Sequence, residues 1–115
     1  MSKPALLEMI ENQWPDSHYE VTISCDEFTC LCPYTGKTDF ATLTITYTPT
    51  NKLIEIVSLK QYLASFSNVK ILQEFAINQI CQDLGQVLHP KILIVKGEFS
   101  ARGGVKITPT CSYKE

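Results

Sequence analysis

No run of apolar residues in this chain approaches the ~20 that a membrane-spanning helix needs, so no transmembrane anchor is expected. Basic charge is equally scarce. Ten Lys and Arg stand against twelve Asp and Glu, a net charge of −2, which gives no general electrostatic footprint for nucleic acid. Histidine is limited to His18 and His89. Neither stands at ligand spacing from the Cys30/Cys32 pair, so no metal site is expected. The opening "MSKPALLEMIENQWPDS" has too short an apolar run and too many acids for a secretory signal, which leaves the cytoplasm as the expected compartment. No linker, low-complexity tract or repeat divides the 115 residues, a length that suits one domain.

What the chain does have is 44% hydrophobic content, ordinary for a globular core. Its five cysteines (25, 30, 32, 81 and 111) are an odd number and are expected to be reduced thiols, mostly packed in core or strand positions.

The order of elements follows from periodicity. Residues 5–12 read as a short N-terminal helix ended by Trp14-Pro15. Residues 18–25 alternate, with Tyr19, Val21, Ile23 and Cys25 on one face of a strand. Residues 39–48 alternate again, placing Ala41, Leu43, Ile45 and Tyr47 on one side and threonines on the other. "KLIEI" follows a turn and is expected to form a hairpin with that strand. Two helices come next. "SLKQYLASF" spaces Leu59, Tyr62, Leu63 and Phe66 on one face, with Ser58 as its N-cap. "ILQEFAINQICQDLGQVL" carries a stripe of Leu72, Phe75, Ala76, Ile80, Leu84, Val87 and Leu88, stopped by His89-Pro90. Two strands joined around Arg102-Gly103-Gly104 close the chain. The expected class is α+β: an antiparallel four-stranded sheet with two helices on one face. Such a sheet leaves edges that oligomerisation would cover.

Four groups are candidates for chemistry. Cys30 and Cys32 are either two small buried hydrophobes or include a nucleophile. Asp39 is the nearby carboxylate, and a Cys with an Asp but no His suits addition to a polarised carbon whose acceptor atom needs a proton. Glu74 is either a solvated carboxylate in a helix first turn or an acceptor for a guanine-like amide-amine edge. Arg102 with two glycines is either a surface turn or a phosphate contact.

The blocks "FTCLCPYTGKTDFATLTITYTP", "EIVSLKQYLASFSN" and "VKGEFSARGGVKITP" resemble, in order and spacing, the 7-cyano-7-deazaguanine reductases, NADPH-dependent nitrile reductases of queuosine biosynthesis. The likeness runs from about residue 27 to the C-terminus, so the domain 1–115 divides into residues 1–26 (helix and first strand) and a family-like core. The resemblance implies a tunnelling fold whose subunits join their sheets into a barrel, with active sites at subunit interfaces. It implies that Cys32 adds to the nitrile carbon as a thioimide while Asp39 protonates nitrogen, and it leaves Cys30 structural. Ile54, Glu55, Ile56, Gln73 and Glu74 would hold the deazaguanine. Ser58, Lys60, Arg102 and Gly103 would hold NADPH. Val57 stands where the family's cofactor motif has its first lysine, and Gln73 where the family has histidine before the substrate glutamate. Two alternatives therefore stand beside the reductase: an archaeosine-type amidinotransferase that adds ammonia to the nitrile on tRNA, and a binding-only homologue.

Overall fold

The computed structural model describes residues 3–114. A short 3-10 turn at Pro4–Leu6 leads into strand β1 (Met9–Glu11). Strands β2 (Val21–Leu31), β3 (Thr38–Thr48) and β4 (Lys52–Ile54) follow, then helices α1 (Ile56–Ala64) and α2 (Gln73–Leu88), then β5 (Ile92–Phe99) and β6 (Thr110–Tyr113). The main sheet is antiparallel in the order β2-β3-β5-β6, and β1 and β4 form a separate two-stranded ribbon. No helix among the described residues is long and apolar enough to cross a membrane.

The alternation expected in β3 is present: Ala41, Leu43, Ile45 and Tyr47 are buried and meet residues of α1, α2 and β5 in one core. Strand β2 runs further than residue 25 because of a bulge. Cys25 pairs with Leu43 and Phe28 with Ala41, so Asp26 and Glu27 together face one residue of β3. A bulge shifts the alternation by one residue. Phe28 and Cys30 thereby join the buried face, and Phe28 packs its ring 5.6 Å from that of Phe66.

Four expectations are corrected. Residues 5–12 are not a helix: the segment turns once at Pro4–Leu6 and then extends as β1, paired with β4 at Met9↔Ile54. That pairing also takes β4 away from β3, whose link to β4 is instead the Ile54 N–H donating to the buried Tyr47 hydroxyl at 3.1 Å. Ser58 does not cap α1. The cap is Glu55, whose carboxylate accepts from the N–H of Val57 and Ser58, both at 2.7 Å. Phe75 leaves the apolar stripe of α2 and is 61% exposed. Ile77 takes its place, filling the space that Gly97 of β5 leaves open.

Helix α2 ends at His89 in the left-handed region (φ 46°), before Pro90. Between β5 and β6 the chain turns at Arg102–Val105 and runs beside β5, with Pro109 and Ile107 carbonyls accepting from Gly97 and Phe99. Pro109 has no N–H to give, so the ladder becomes regular only at Thr110.

Candidate active site

The loop from Cys32 to Lys37 connects β2 to β3 and is held by its own backbone. Cys32 N–H donates to the Lys37 carbonyl at 2.8 Å, and Gly36 N–H to the Cys32 carbonyl at 2.9 Å. Closing so tight a loop needs a residue at positive φ, supplied by Gly36 at 72°. The turn folds its donors back onto sulfur. The Thr35 hydroxyl and the N–H groups of Thr35 and Tyr34 hydrogen-bond the Cys32 thiol and lower its pKa from 9.0, the hydroxyl contributing most, against smaller opposing effects of burial and the Asp39 charge. Hydrogen bonds to the thiolate favour it, and the thiolate is the nucleophile.

Cys30, two residues away, has the opposite environment. It is fully buried, and burial, then Asp39 and Cys32, push its thiol up to about 11. The two thiols therefore differ in environment, Cys32 held toward its thiolate and Cys30 packed in the core, a distinction the spacing alone leaves open.

Asp39 opposes Cys30 across β2 and β3, and its side chain is only 6% exposed. Arg102 Nε donates to Asp39 Oδ1 at 2.8 Å, and a terminal Arg102 nitrogen donates to the Thr38 carbonyl. Cys32, Asp39, Gln73, Glu74 and Arg102 line one cavity of about 260 Å³, together with the apolar Pro33 and Leu72. Gln73 and Glu74 reach it because they open α2, where a carboxylate is favoured by the helix dipole.

Of the remaining expected residues, Gly103 sits in the turn whose Arg102 and Val105 line this cavity, and the others lie elsewhere on the chain. Ile54 is a core residue, Glu55 caps α1, and Ile56 is exposed beside it. Ser58 is buried, its hydroxyl donating to the Glu55 carbonyl at 2.8 Å and accepting from Glu8 N–H at 2.9 Å. Lys60 lines a second cavity of about 660 Å³ between the β2 bulge and α1. Gly103 sits at φ 58° in an exposed turn. An exposed lysine and a glycine turn with free space around it are residue types that fit a phosphate-bearing dinucleotide. Arg102, however, is already committed to Asp39. Thr35, inside the block "FTCLCPYTGKTDFATLTITYTP", joins the site through its hydroxyl on Cys32, a contact that sequence spacing does not specify.

A family model for QueF-like proteins matches residues 38–115. The chain belongs to this family. The matched span includes Asp39, Glu74 and Arg102; Cys32 lies just before it. Among curated relatives, the NADPH-dependent 7-cyano-7-deazaguanine reductase of Bacillus cereus is 44% identical over 110 residues, covering 96% of this chain and 67% of its own. The enzyme of the same name from Thermoanaerobacter pseudethanolicus is 46% identical, covering 96% and 83%. Among solved structures, the apo crystal structure of an archaeosine synthase QueF-Like has a TM-score of 0.77 at 19% identity, over 84% of this chain and 94% of that one. The last likeness establishes the shared fold of the QueF-like family.

Proposed function

We propose that the protein catalyses NADPH-dependent reduction of the nitrile of 7-cyano-7-deazaguanine to an aminomethyl group, through a thioimide on Cys32. The observation that carries this reading is the convergence, in one cavity, of a thiol with a lowered pKa, a carboxylate beside it, and Glu74 at a helix start. The relatives' shared activity supports the same reading. The Cys32 thiol passes its proton to Asp39 and its sulfur adds to the nitrile carbon; one π pair moves to nitrogen, and Asp39 hands that proton on to it. No leaving group departs, which is why the site needs an acid and no imidazole. Glu74 accepts from the amide-amine edge of the deazaguanine, beside the amide of Gln73.

NADPH, when bound, supplies the hydride equivalents that reduce the thioimide. Lys60 and the Gly103 turn are the residues of this chain suited to its phosphates. They line different surfaces of one subunit, which supports a homo-oligomer whose site is completed by a second copy bringing Glu55, Ile56 and Lys60 to the Cys32 cavity. The sheet edges β2 and β6, each paired on one side only, support the barrel assembly expected for the fold. A cytoplasmic setting suits five free thiols.

Val57, exposed where the family motif has a lysine, favours a second reading: an amidinotransferase that adds ammonia to the same thioimide on tRNA. The two are separated by incubating the protein with 7-cyano-7-deazaguanine and NADPH and following nicotinamide absorbance. Oxidation of NADPH, with a Cys32 adduct by mass spectrometry that Cys32→Ala abolishes, is the expected result. An adduct without oxidation, together with ammonia uptake into nitrile-bearing tRNA, would sink the reductase.

A further inference from the structure

Arg102 makes contacts that its expected cofactor role does not account for. The resemblance places it against the dinucleotide. In the structure its guanidinium is spent on the acid instead: Nε on Asp39 Oδ1 at 2.8 Å and a terminal nitrogen on the Thr38 carbonyl. The turn that carries it is itself pinned. Arg102 and Val105 exchange backbone hydrogen bonds of 2.9 and 3.0 Å across Gly103 and Gly104, and Ser100 N–H donates to the Phe40 carbonyl at 2.9 Å. Arg102 is thus tied on both sides of Asp39 in β3, by its side chain to residues 38 and 39 and by its turn to residue 40.

The consequence is directional. A lone aspartate on a strand turns about two side-chain bonds. With Oδ1 fixed by a guanidinium that is itself fixed by Thr38, that rotation is stopped, and Oδ2 is the oxygen left for the cavity that Asp39 and Cys32 share. Addition of sulfur to a nitrile carbon creates a lone pair on nitrogen in one direction, so the proton must arrive along it. Once it has passed on the proton taken from Cys32, Asp39 is again a carboxylate, and the guanidinium is already in place to pair it.

We propose that Arg102 is a positioning residue for the proton donor, acting through Asp39 in thioimide formation. This rests on the reading of Cys32 and Asp39 given above. It places the action of Arg102 before any hydride step.

The test is adduct formation on Cys32 with 7-cyano-7-deazaguanine in the absence of NADPH, timed by intact mass, in the full chain and in Arg102→Ala, Arg102→Lys, Asp39→Asn and the Arg102→Ala/Asp39→Asn double variant. Dinucleotide binding is measured separately by calorimetry, and melting temperature reports folding. The expected result is an adduct rate lowered roughly a hundred-fold in Arg102→Ala, as for a misplaced catalytic group, with the affinity for the base unchanged. Arg102→Lys, which keeps the charge but loses the fork, recovers part of the rate. The double variant is no slower than Asp39→Asn alone, because Arg102 has nothing left to position. An unchanged adduct rate with weakened dinucleotide binding would overturn the proposal and return Arg102 to the cofactor. Multiplying effects in the double variant would overturn it too. A native chain that forms no adduct at all removes the proposed function and this inference together, whereas an adduct insensitive to Arg102 removes only the inference.

Discussion

Helix α1 is tied to α2, which carries Gln73 and Glu74, by one buried polar bond whose removal has a calculable cost. Tyr62 of α1 is fully buried, and its hydroxyl donates to Asp83 Oδ2 at 2.6 Å, while Gln79 donates to Asp83 Oδ1 at 2.8 Å. Asp83 is 5% exposed. Changing Tyr62→Phe keeps the ring, and hence its edge-on packing with Phe66 at 5.5 Å, but strips one oxygen of a buried carboxylate of its donor. Hydrogen bonds to charged groups contribute about 1.5–3 kcal/mol, and the oxygen left behind cannot be rehydrated cheaply, so we expect a loss near the upper end, about 2–3 kcal/mol. An unfolding entropy of about 2.1 cal/mol/K per residue, over a chain of this length, converts 1 kcal/mol into about 4 °C of melting temperature. The expected fall is therefore about 8–12 °C at neutral pH.

Two further readouts test this cost. Replacing both partners, Tyr62→Phe with Asp83→Leu, removes the orphaned carboxylate, and most of the loss should return. The second readout is alkaline. Burial first, then the hydrogen bond and charge of Asp83, raise the Tyr62 phenol far above its ordinary 10.0. A group whose folded pKa is raised stabilises the fold fully below the unfolded value and loses that contribution as pH climbs above it. Stability should thus decline above about pH 10 in the native chain and decline less steeply in Tyr62→Phe; Tyr47, also raised mainly by burial, keeps some slope in both. Melting is followed by circular dichroism across pH. A fall of less than about 2 °C in the single variant, or a double variant no more stable than the single, would show that the bond contributes little beyond its packing.

Gly85→Ala tests the docking of β6 on α2: a Cβ there would lie 2.1 Å from the Tyr113 ring, so we expect a loss of about 1–3 kcal/mol in urea unfolding, relieved by Tyr113→Ala. Glu55→Gln tests the cap of α1. The N–H groups of Val57 and then Ser58 hold the Glu55 carboxyl below its ordinary 4.5, so its contribution is present above that pH and lost as pH falls below it. The glutamine variant should be less stable at neutral pH and lose less on acidification; parallel acid limbs in the two chains would refute the cap.

The residues that were legible in the sequence are those whose role is periodic. Leu59, Tyr62, Leu63 and Phe66 are all buried as their helical spacing demands, and β3 alternates over its whole length. Cys32 and Asp39 stand out by resemblance, and both line one cavity. The misses have separate physical causes. Strand β1 is three residues long, too short to show a period, and its pairing with β4 depends on a partner more than forty positions away. The β2 bulge inserts one residue and so hides the strand's second half from any alternation rule. Ser58 lost the cap to Glu55 because a carboxylate can accept two N–H bonds at once, and the serine hydroxyl was needed to join α1 to the segment before β1.

Arg102 is the instructive case. Its turn was recognisable from two glycines, but a turn sequence specifies how the chain reverses and says nothing of what its side chain meets 63 positions away. That contact exists because β3 and β5 are adjacent and the turn after β5 is held to Phe40. Sheet order is a property of the assembled chain. A residue that acts through another is therefore hidden from local patterns even where the residue it acts on is plain. The same holds for Glu55 and Lys60, which belong by resemblance to the site of Cys32 and stand away from it on the chain. For Arg102 the missing link is inside the chain and can be measured by the non-additivity of two substitutions. For Lys60 the proposed link lies between copies, so mixing Cys32→Ala with Lys60→Ala chains should restore NADPH oxidation that neither variant shows alone. Recovery would place the two halves of the site on different subunits, and its absence in stable mixed oligomers would place them on the same one.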